Sequence, residues 1–305
     1  MTFHVVTFYQ IAYVKDPMKL SREVERISTK EGLSGTFFST PQGVNATLSG
    51  SLEGLNQIVH LLQDSYALSV TPAWSAAQKN PFKRFKVKLK DKLLPLEGDF
   101  DPVISRGKHV RPDNWNELIS DPDTTVVDVR NNYESNIGSF KNSLIPGTDN
   151  FIDFPDYVER NLDSVKNKKI AMFCTGGIRC EIASSYLMSK GFDEVYQLEG
   201  GVLKYLESVK VEDQLWEGEC FVFDERVSVN KALEEGNFIQ CFGCRRPLTQ
   251  DEVNSKYYKK GVSCRFCYKE SSESDKERFA QRQKQIELAD QRGHKHMGVT
   301  AKQTK

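Results

Sequence analysis

Cys174-Thr175-Gly176-Gly177-Ile178-Arg179 places a thiol, a glycine pair and a guanidinium on the turn between an apolar run, Lys169 to Phe173, and an amphipathic stretch from Cys180 to Ser189. A thiol reacts as its thiolate, a form that helix N-termini and neighbouring cations favour. Glycines let backbone N–H groups curl around an anion, and Arg179 adds a fixed charge. The turn therefore suits an anion: the sulfur of Cys174 as nucleophile, or a charged group delivered to the loop Thr175, Gly176, Gly177 and Ile178. The alternative is a buried structural cysteine. Cys180 is either a resolving thiol for an oxidised Cys174 or a buried helix thiol. Asp128, Arg130 and Glu134 follow a second apolar run, Thr124 to Val129, and either brace the site by pairing or join its chemistry.

Two further sets stand apart. Cys241-x2-Cys244 and Cys264-x2-Cys267, nineteen residues apart, have the spacing of a tetrathiolate zinc site, whose four sulfurs leave no open catalytic position. A redox dithiol is the competing reading. Lys83, Arg84, Lys86, Lys88 and Lys90, with Lys79 and Lys92, form a basic ridge against the single acid Asp91. Phe85, Val87 and Leu89 alternate with Lys86, Lys88 and Lys90, so a strand here is apolar on one face and cationic on the other. Such lysines either protect a solvated sheet edge or track nucleic-acid phosphates.

The elements that must position these residues fall into four segments. Residues 1–100 carry β-α-β-β-α-β signals, the order of a ferredoxin-like domain, with Phe85 to Lys90 expected as the closing strand. Residues 105–215 alternate strands and helices, which implies a parallel α/β sheet with ligands at the carboxyl ends of its strands, where Cys174 sits. Residues 216–268 hold the cysteine pairs. Residues 269–305 are polar with few apolar anchors, and a frayed helix followed by disorder is expected there. Phe8, Tyr9, Phe37 and Phe38 read as core residues of the first segment.

A chain of 305 residues fits two or three modest domains. Equal totals of 42 basic and 42 acidic side chains exclude a globally polyanion-seeking protein, so any nucleic-acid surface must come from local clustering. The first ten residues read as a strand rather than a signal peptide, no apolar run approaches a membrane span, and seven cysteines do not suggest a disulfide framework. A cytoplasmic protein with reduced thiols is expected, with neither membrane nor protein partner.

The Cys174 to Arg179 string, with Asp128, Arg130 and Glu134 before it and Leu198-Glu199-Gly200-Gly201 after it, resembles the rhodanese domain, whose catalytic cysteine begins such a loop. Phe173 through Glu181, Trp216 through Arg226 and the preceding ferredoxin-like, or acylphosphatase-like, domain resemble the rhodanese-like tRNA uridine-34 hydroxylases. Pro41-Gln42-Gly43-Val44-Asn45 departs from the family's E-G-I-N pattern. The resemblance covers about residues 3–268. It implies an α/β architecture with an RNA-binding first domain, a rhodanese-like second domain and a small zinc module. It also implies oxygen-dependent conversion of wobble uridine to 5-hydroxyuridine in the tRNA anticodon stem-loop, with Cys174 as the catalytic cysteine. Molecular oxygen would be the co-substrate, structural zinc the metal, and no organic cofactor is evident. Bottom-up, the thiolate would add to C6 of the uracil, and Arg179 or the loop N–H groups would steady the oxyanion at O4. The alternative is a persulfide-type sulfurtransferase acting on RNA or a small thiol acceptor.

Overall fold

In the computed structural model, which describes residues 3–162 and 168–292, the first domain is built from β1 (Phe3–Ile11), α1 (Pro17–Lys30), β2 (Ser34–Thr40), β3 (Gly43–Gly50), α2 (Leu52–His60), β4 (Ala73–Ala77) and β5 (Phe85–Leu89). The helices start where their caps allow. Asp16 accepts the Lys19 N–H at 2.8 Å just before Pro17, and Ser51 accepts the Gly54 N–H at 3.1 Å. Both helices cover one face of the sheet, over a core that includes Phe8, Leu20, Phe37, Leu48 and Leu55.

Strand order is β4-β1-β3-β2-β5. The first four strands make the ferredoxin-like arrangement, but its closing strand is Ala73–Ala77 and not Phe85 to Lys90 as the alternation suggested. Ala73-Trp74-Ser75-Ala76-Ala77 contains no β-branched residue, and its extended form comes from pairing with β1, a tertiary cause that local propensity does not report. The lysine-rich β5 is an added strand, parallel to β2 on the opposite edge.

The second domain runs through β6 (Lys108–Val110), α3 (Pro112–Ser120), β7 (Thr124–Asp128), α4 (Asn132–Ser135), β8 (Gly138–Phe140), α5 (Phe154–Asn161), β9 (Lys169–Phe173), α6 (Ile178–Ser189), β10 (Val195–Leu198) and α7 (Gly201–Ser208). Its sheet, β6-β10-β9-β7, is wholly parallel. β9 shows why it is apolar throughout: Ile170 and Met172 enter the core under α5 and α6, whereas Ala171 and Phe173 enter the core under α3 and α7.

Packing moves two expected boundaries. Leu93 and Leu96, before residue 100, belong to the core of the second domain. So do Trp216, Cys220, Val222 and Val229 of β11 (Trp216–Gly218), β12 (Cys220–Phe221) and β13 (Ser228–Val229), because β11 pairs with β8. The cysteine module proper therefore begins near residue 239, with β14 (Ile239–Gln240), β15 (Pro247–Leu248), α8 (Gln250–Val253) and α9 (Glu273–Gln291).

The polar tail opens on the expected helix, which is capped and docked where fraying was expected. Residues 273–291 form a nineteen-residue helix, capped by Ser272 and laced by the pairs Lys276–Glu273 and Arg278–Asp275. Its Arg282 donates to the carbonyls of Phe242 and Gly261 at 2.6 and 3.0 Å. Docking through polar contacts replaces the apolar anchors that the sequence lacks. The rest of the expected disordered tail, 293–305, lies outside the described residues. Among the described residues no helix is long and apolar enough to cross a membrane.

Candidate active site and adjoining cleft

Cys174 follows the last residue of β9, a strand flanked on both sides, and is 1% exposed. The chain then turns through Gly177, whose φ of +99° lies where side chains are strained, and enters α6. The Gly177 N–H donates to Cys174 Sγ at 3.1 Å. Burial pushes this thiol up, but the hydrogen bond from the Cys180 thiol, the Arg179 charge and the N–H groups of Cys180 and Arg179 outweigh it, and the pKa falls to about 6. Cys180 is driven the other way, well above its ordinary value, by burial and by the neighbouring Cys174. One thiolate and one thiol thus share the site near neutrality. Gly201 (φ +66°) lets the start of α7 close on the loop: a Cβ there would lie 2.5 Å from the Cys174 carbonyl, which accepts the Val202 N–H at 3.0 Å.

Arg179 is not free to reach outward. Its guanidinium forms a bidentate pair with Glu134 at 2.6 and 2.7 Å, both side chains buried, and Thr175 Oγ1 donates to the same carboxylate at 3.1 Å. Glu134 also accepts the Asn131 N–H, so α4 is tied to the loop. Arg179 therefore acts as a fixed charge beside the sulfur. Asp128 and Arg130 make a second buried pair, at 2.6 Å, with Arg130 also donating to the Gly138 carbonyl and lying 4.9 Å from the Trp216 ring. This pair braces β7 against β8 and β11 and touches no loop atom by hydrogen bond. Ile178 opens α6 and packs against the core beneath it. Cys220 is a core thiol whose pKa burial raises to about 12.

The first domain covers the loop. The uncovered face of its sheet meets α6, and Tyr9 lies on Gly177, where an added Cβ would be 2.7 Å from the phenol oxygen. Tyr9 donates to Glu181 at 2.8 Å. Glu181, 3% exposed, is also bound by His109 at 2.7 Å, Arg106 at 3.0 Å and Gln197 at 3.1 Å. Burial opposes its charge, but His109, Tyr9 and Arg106 keep it ionised below the usual carboxylate range. Glu181, Tyr9 and His109 escaped the reading of the sequence; the only signal was the position of Glu181 within the distinctive loop-to-helix string.

That uncovered face also carries the basic ridge. Strand register puts Thr7, Thr47, Thr36 and Lys86 on one rung and Tyr9, Asn45, Phe38 and Lys88 on the next. Three strand spacings, about 14 Å, separate β1 from β5. Phe38 is half-buried on this face, with Lys88 and Lys90 Nζ at 5.1 and 5.3 Å from its ring. Phe38 is thus not a core residue, and Tyr9 packs against the core of the second domain instead of that of the first, whereas Phe8 and Phe37 lie in the first-domain core, because alternation turns neighbours to opposite faces. Beyond the ridge opens a cleft of 710 Å³, lined by Arg84 and Lys86, by Tyr133, Phe221 and Phe223 beside the loop, and by Arg245 of the cysteine module. Phe223 is 59% exposed and lies 5.9 Å from the Arg179 guanidinium. Lys83 is paired with Glu225 at 3.2 Å.

Sγ atoms of Cys241, Cys244, Cys264 and Cys267 lie within 4.8 Å of one another. The Sγ separations of 3.7, 3.8 and 3.9 Å match the edge of about 3.8 Å in a tetrahedron of zinc–thiolate bonds. The four residues are positioned to hold one metal ion, consistent with structural zinc.

Residues 3–93 match the family profile described as UPF0176 acylphosphatase like domain, and residues 112–208 match that of the rhodanese-like domain. Together they are consistent with the UPF0176 family. Among solved structures, the chain is similar to a rhodanese-related protein from Thermoplasma volcanium, with 24% identity over 33% of this chain and 91% of that one, at a TM-score of 0.26. It is similar also to a rhodanese-like domain protein from Staphylococcus aureus, with 27% identity over 32% and 90% and a TM-score of 0.27. A rhodanese-like domain from Anabaena sp. gives 23% over 36% and 78%, with a TM-score of 0.30. A rhodanese-like domain points to an enzyme that works through a cysteine.

Proposed function

We propose that this chain, with its acylphosphatase-like and rhodanese-like domains, is a tRNA-modifying enzyme that hydroxylates the wobble uridine to 5-hydroxyuridine with O2, using Cys174. The observation that carries the reading is the shared sheet face: Tyr9 sits on the Cys174 loop while Lys88, on the same rung, belongs to the basic ridge. A cationic ridge and a thiolate-stabilising loop thus lie on one sheet face, which supports the reading of the ridge as a phosphate track.

In this reading the anticodon loop lies along the ridge and the uracil leaves its stack, at small cost in a single-stranded loop. The ring enters past Phe223 and Tyr133, which must shift because Cys174 is covered. The thiolate adds to C6, electrons move toward O4, and C5 becomes the carbon that takes up oxygen. Loop N–H groups are the donors available to the oxyanion, since Arg179 is held by Glu134. One atom of O2 replaces the C5 hydrogen as hydroxyl. The other leaves as water, with two electrons and two protons from a two-electron reductant such as a dithiol, which is oxidised to its disulfide. The C5 proton departs as the sulfur is expelled, which restores the double bond and the free thiolate.

The test is nucleoside mass spectrometry of tRNA from cells lacking the gene, complemented with wild type or Cys174→Ala. Loss of 5-hydroxyuridine and its alkoxy derivatives, rescued by wild type alone, is the expected result. A second reading, a persulfide sulfurtransferase acting on RNA or a small thiol, is favoured by the same N–H cradle, which would hold a persulfide anion equally well. Intact 5-hydroxyuridine beside a missing thiolated nucleoside would select it.

A further inference from the structure

The arginines of the cysteine module fall into two groups, and Lys260 lines the cleft beside them. Arg246, Arg265 and Arg278 have carboxylate partners in Glu270, Glu252 and Asp275, at 3.0, 3.3 and 2.7 Å. Arg245 and Arg282 have none within 4.0 Å among the described residues, and both line the 710 Å³ cleft. Arg84 and Lys86 line it from the first domain, also without ion pairs among the described residues. Four acids line it too. Asp224 is bound to Arg226 and Glu225 to Lys83, while Asp149 and Asp290 remain.

These cations feel one another. Desolvation and then the charges of Arg84, Lys88 and Arg245 hold Lys86 below its ordinary pKa, and desolvation followed by Arg245 and Arg278 does the same to Arg282. Against the two remaining acids, Asp149 and Asp290, the cleft keeps an excess of cations gathered from three stretches of chain, which an added anion would offset. Arg245, just after the second cysteine of the knuckle, has a φ of +70°, a conformation glycine would adopt without strain. Its guanidinium lies 5.3 Å from the Phe242 ring, which Lys83 Nζ also approaches at 5.7 Å, so the module and the first domain meet at this aromatic. Tyr133, Phe223 and Phe242 give the cleft rings on which unpaired bases can stack.

We propose that Arg245 and Arg282, facing Arg84 and Lys86, form a phosphate clamp for single-stranded RNA, so that the cysteine module is one jaw of the substrate site. The inference rests on the reading of the chain as an RNA-modifying enzyme and specifies where the strand flanking the reacting base is held. Metal binding then matters for substrate affinity through the position of Arg245, while the ion itself touches no substrate.

The experiment is fluorescence anisotropy of a labelled single-stranded oligouridylate on the full-length, metal-loaded protein across a series of salt concentrations. Removing one phosphate-binding cation lowers the slope of log K against log salt by about 0.7. Arg245→Gln with Arg282→Gln, and separately Arg84→Gln with Lys86→Gln, should each weaken binding several-fold and lower the slope by about 1.4. Arg278→Gln, an ion-paired cation of the same helix, should change neither. Metal content is checked for every variant; should the Arg282 change loosen the module, Arg245→Gln alone decides, because its one polar side-chain partner among the described residues is Gln240. Wild-type affinity and slope in both cleft variants, with hydroxylation intact, would remove the clamp and leave the enzyme reading standing. A wild-type protein that binds no RNA and forms no 5-hydroxyuridine would remove both.

Discussion

Arg179 and Glu134 form a bidentate pair, 2.6 and 2.7 Å, in which neither side chain meets appreciable solvent. Removing one member leaves the other charge buried without compensation, a loss of about 3–5 kcal/mol. Glu134→Gln should therefore lower the unfolding midpoint in urea markedly, and a midpoint within error of wild type would show the pair to be dispensable. The freed Arg179 should also stand closer to the sulfur, so the Cys174 pKa in any folded fraction should not rise.

Titration of Cys174 can be read directly. The difference in thiolate ultraviolet absorbance between wild type and Cys174→Ala should titrate near pH 6, far below a free thiol. Because the folded pKa lies below the unfolded one, the stabilisation from this thiolate is fully present above the unfolded value near 9. It is lost as pH falls through the folded value near 6. Wild type should therefore lose stability relative to Cys174→Ala between about pH 9 and pH 6, and an unchanged difference would count against a native thiolate.

Gly177→Ala addresses the contact between domains. The new methyl would meet the Tyr9 phenol at 2.7 Å and force a side chain to φ +99°, so the first domain must back away from the loop. The expected cost is about 1–3 kcal/mol, with activity abolished while both domains keep their folds. Limited proteolysis that cuts the 90–105 connection faster than in wild type would register the separation.

Metal removal should act locally. Apart from its cysteines, the module buries only two apolar side chains among the described residues, Leu248 and Val262. A chelator strong enough to strip the ion should unfold the segment from about residue 239 to 291 and leave the rhodanese-like core, which lies in separate clusters, intact. Hydrogen exchange should then rise in that segment alone, with about one metal ion released per chain.

The sequence announced the parts of the site that are contiguous along it. The Cys174 loop and the two cysteine knuckles each concentrate their chemistry within six residues, where spacing alone is informative. It could not announce Tyr9 on Gly177 or the four partners of Glu181, because those contacts arise when a sheet face and a helix meet after folding. Lys86, Lys88 and Lys90 were legible as a cationic face but not as neighbours of the loop, since their register runs through β2 and β3. Ala73–Ala77 went unseen because its strand form is imposed by β1. Phe38 was misread because a side chain's face depends on where the strand pairs, and its neighbour Phe37 is the one inside.

The link between Tyr9 and Glu181 spans 172 positions. About 100 residues separate the end of β5 from the end of α6, so at ribosomal rates of about 5–20 residues per second the finished first domain waits roughly 5–20 seconds for the helix that will cover its sheet. During that interval the face is bare. Its central rung presents Thr7, Thr47 and Thr36, with Asn45 on the next, so the apolar side chains left bare there, Val5, Tyr9, Ile11 and Phe38, are interrupted by groups that water can wet. The same interruption lets the first domain stand alone while the rest of the chain is still being made.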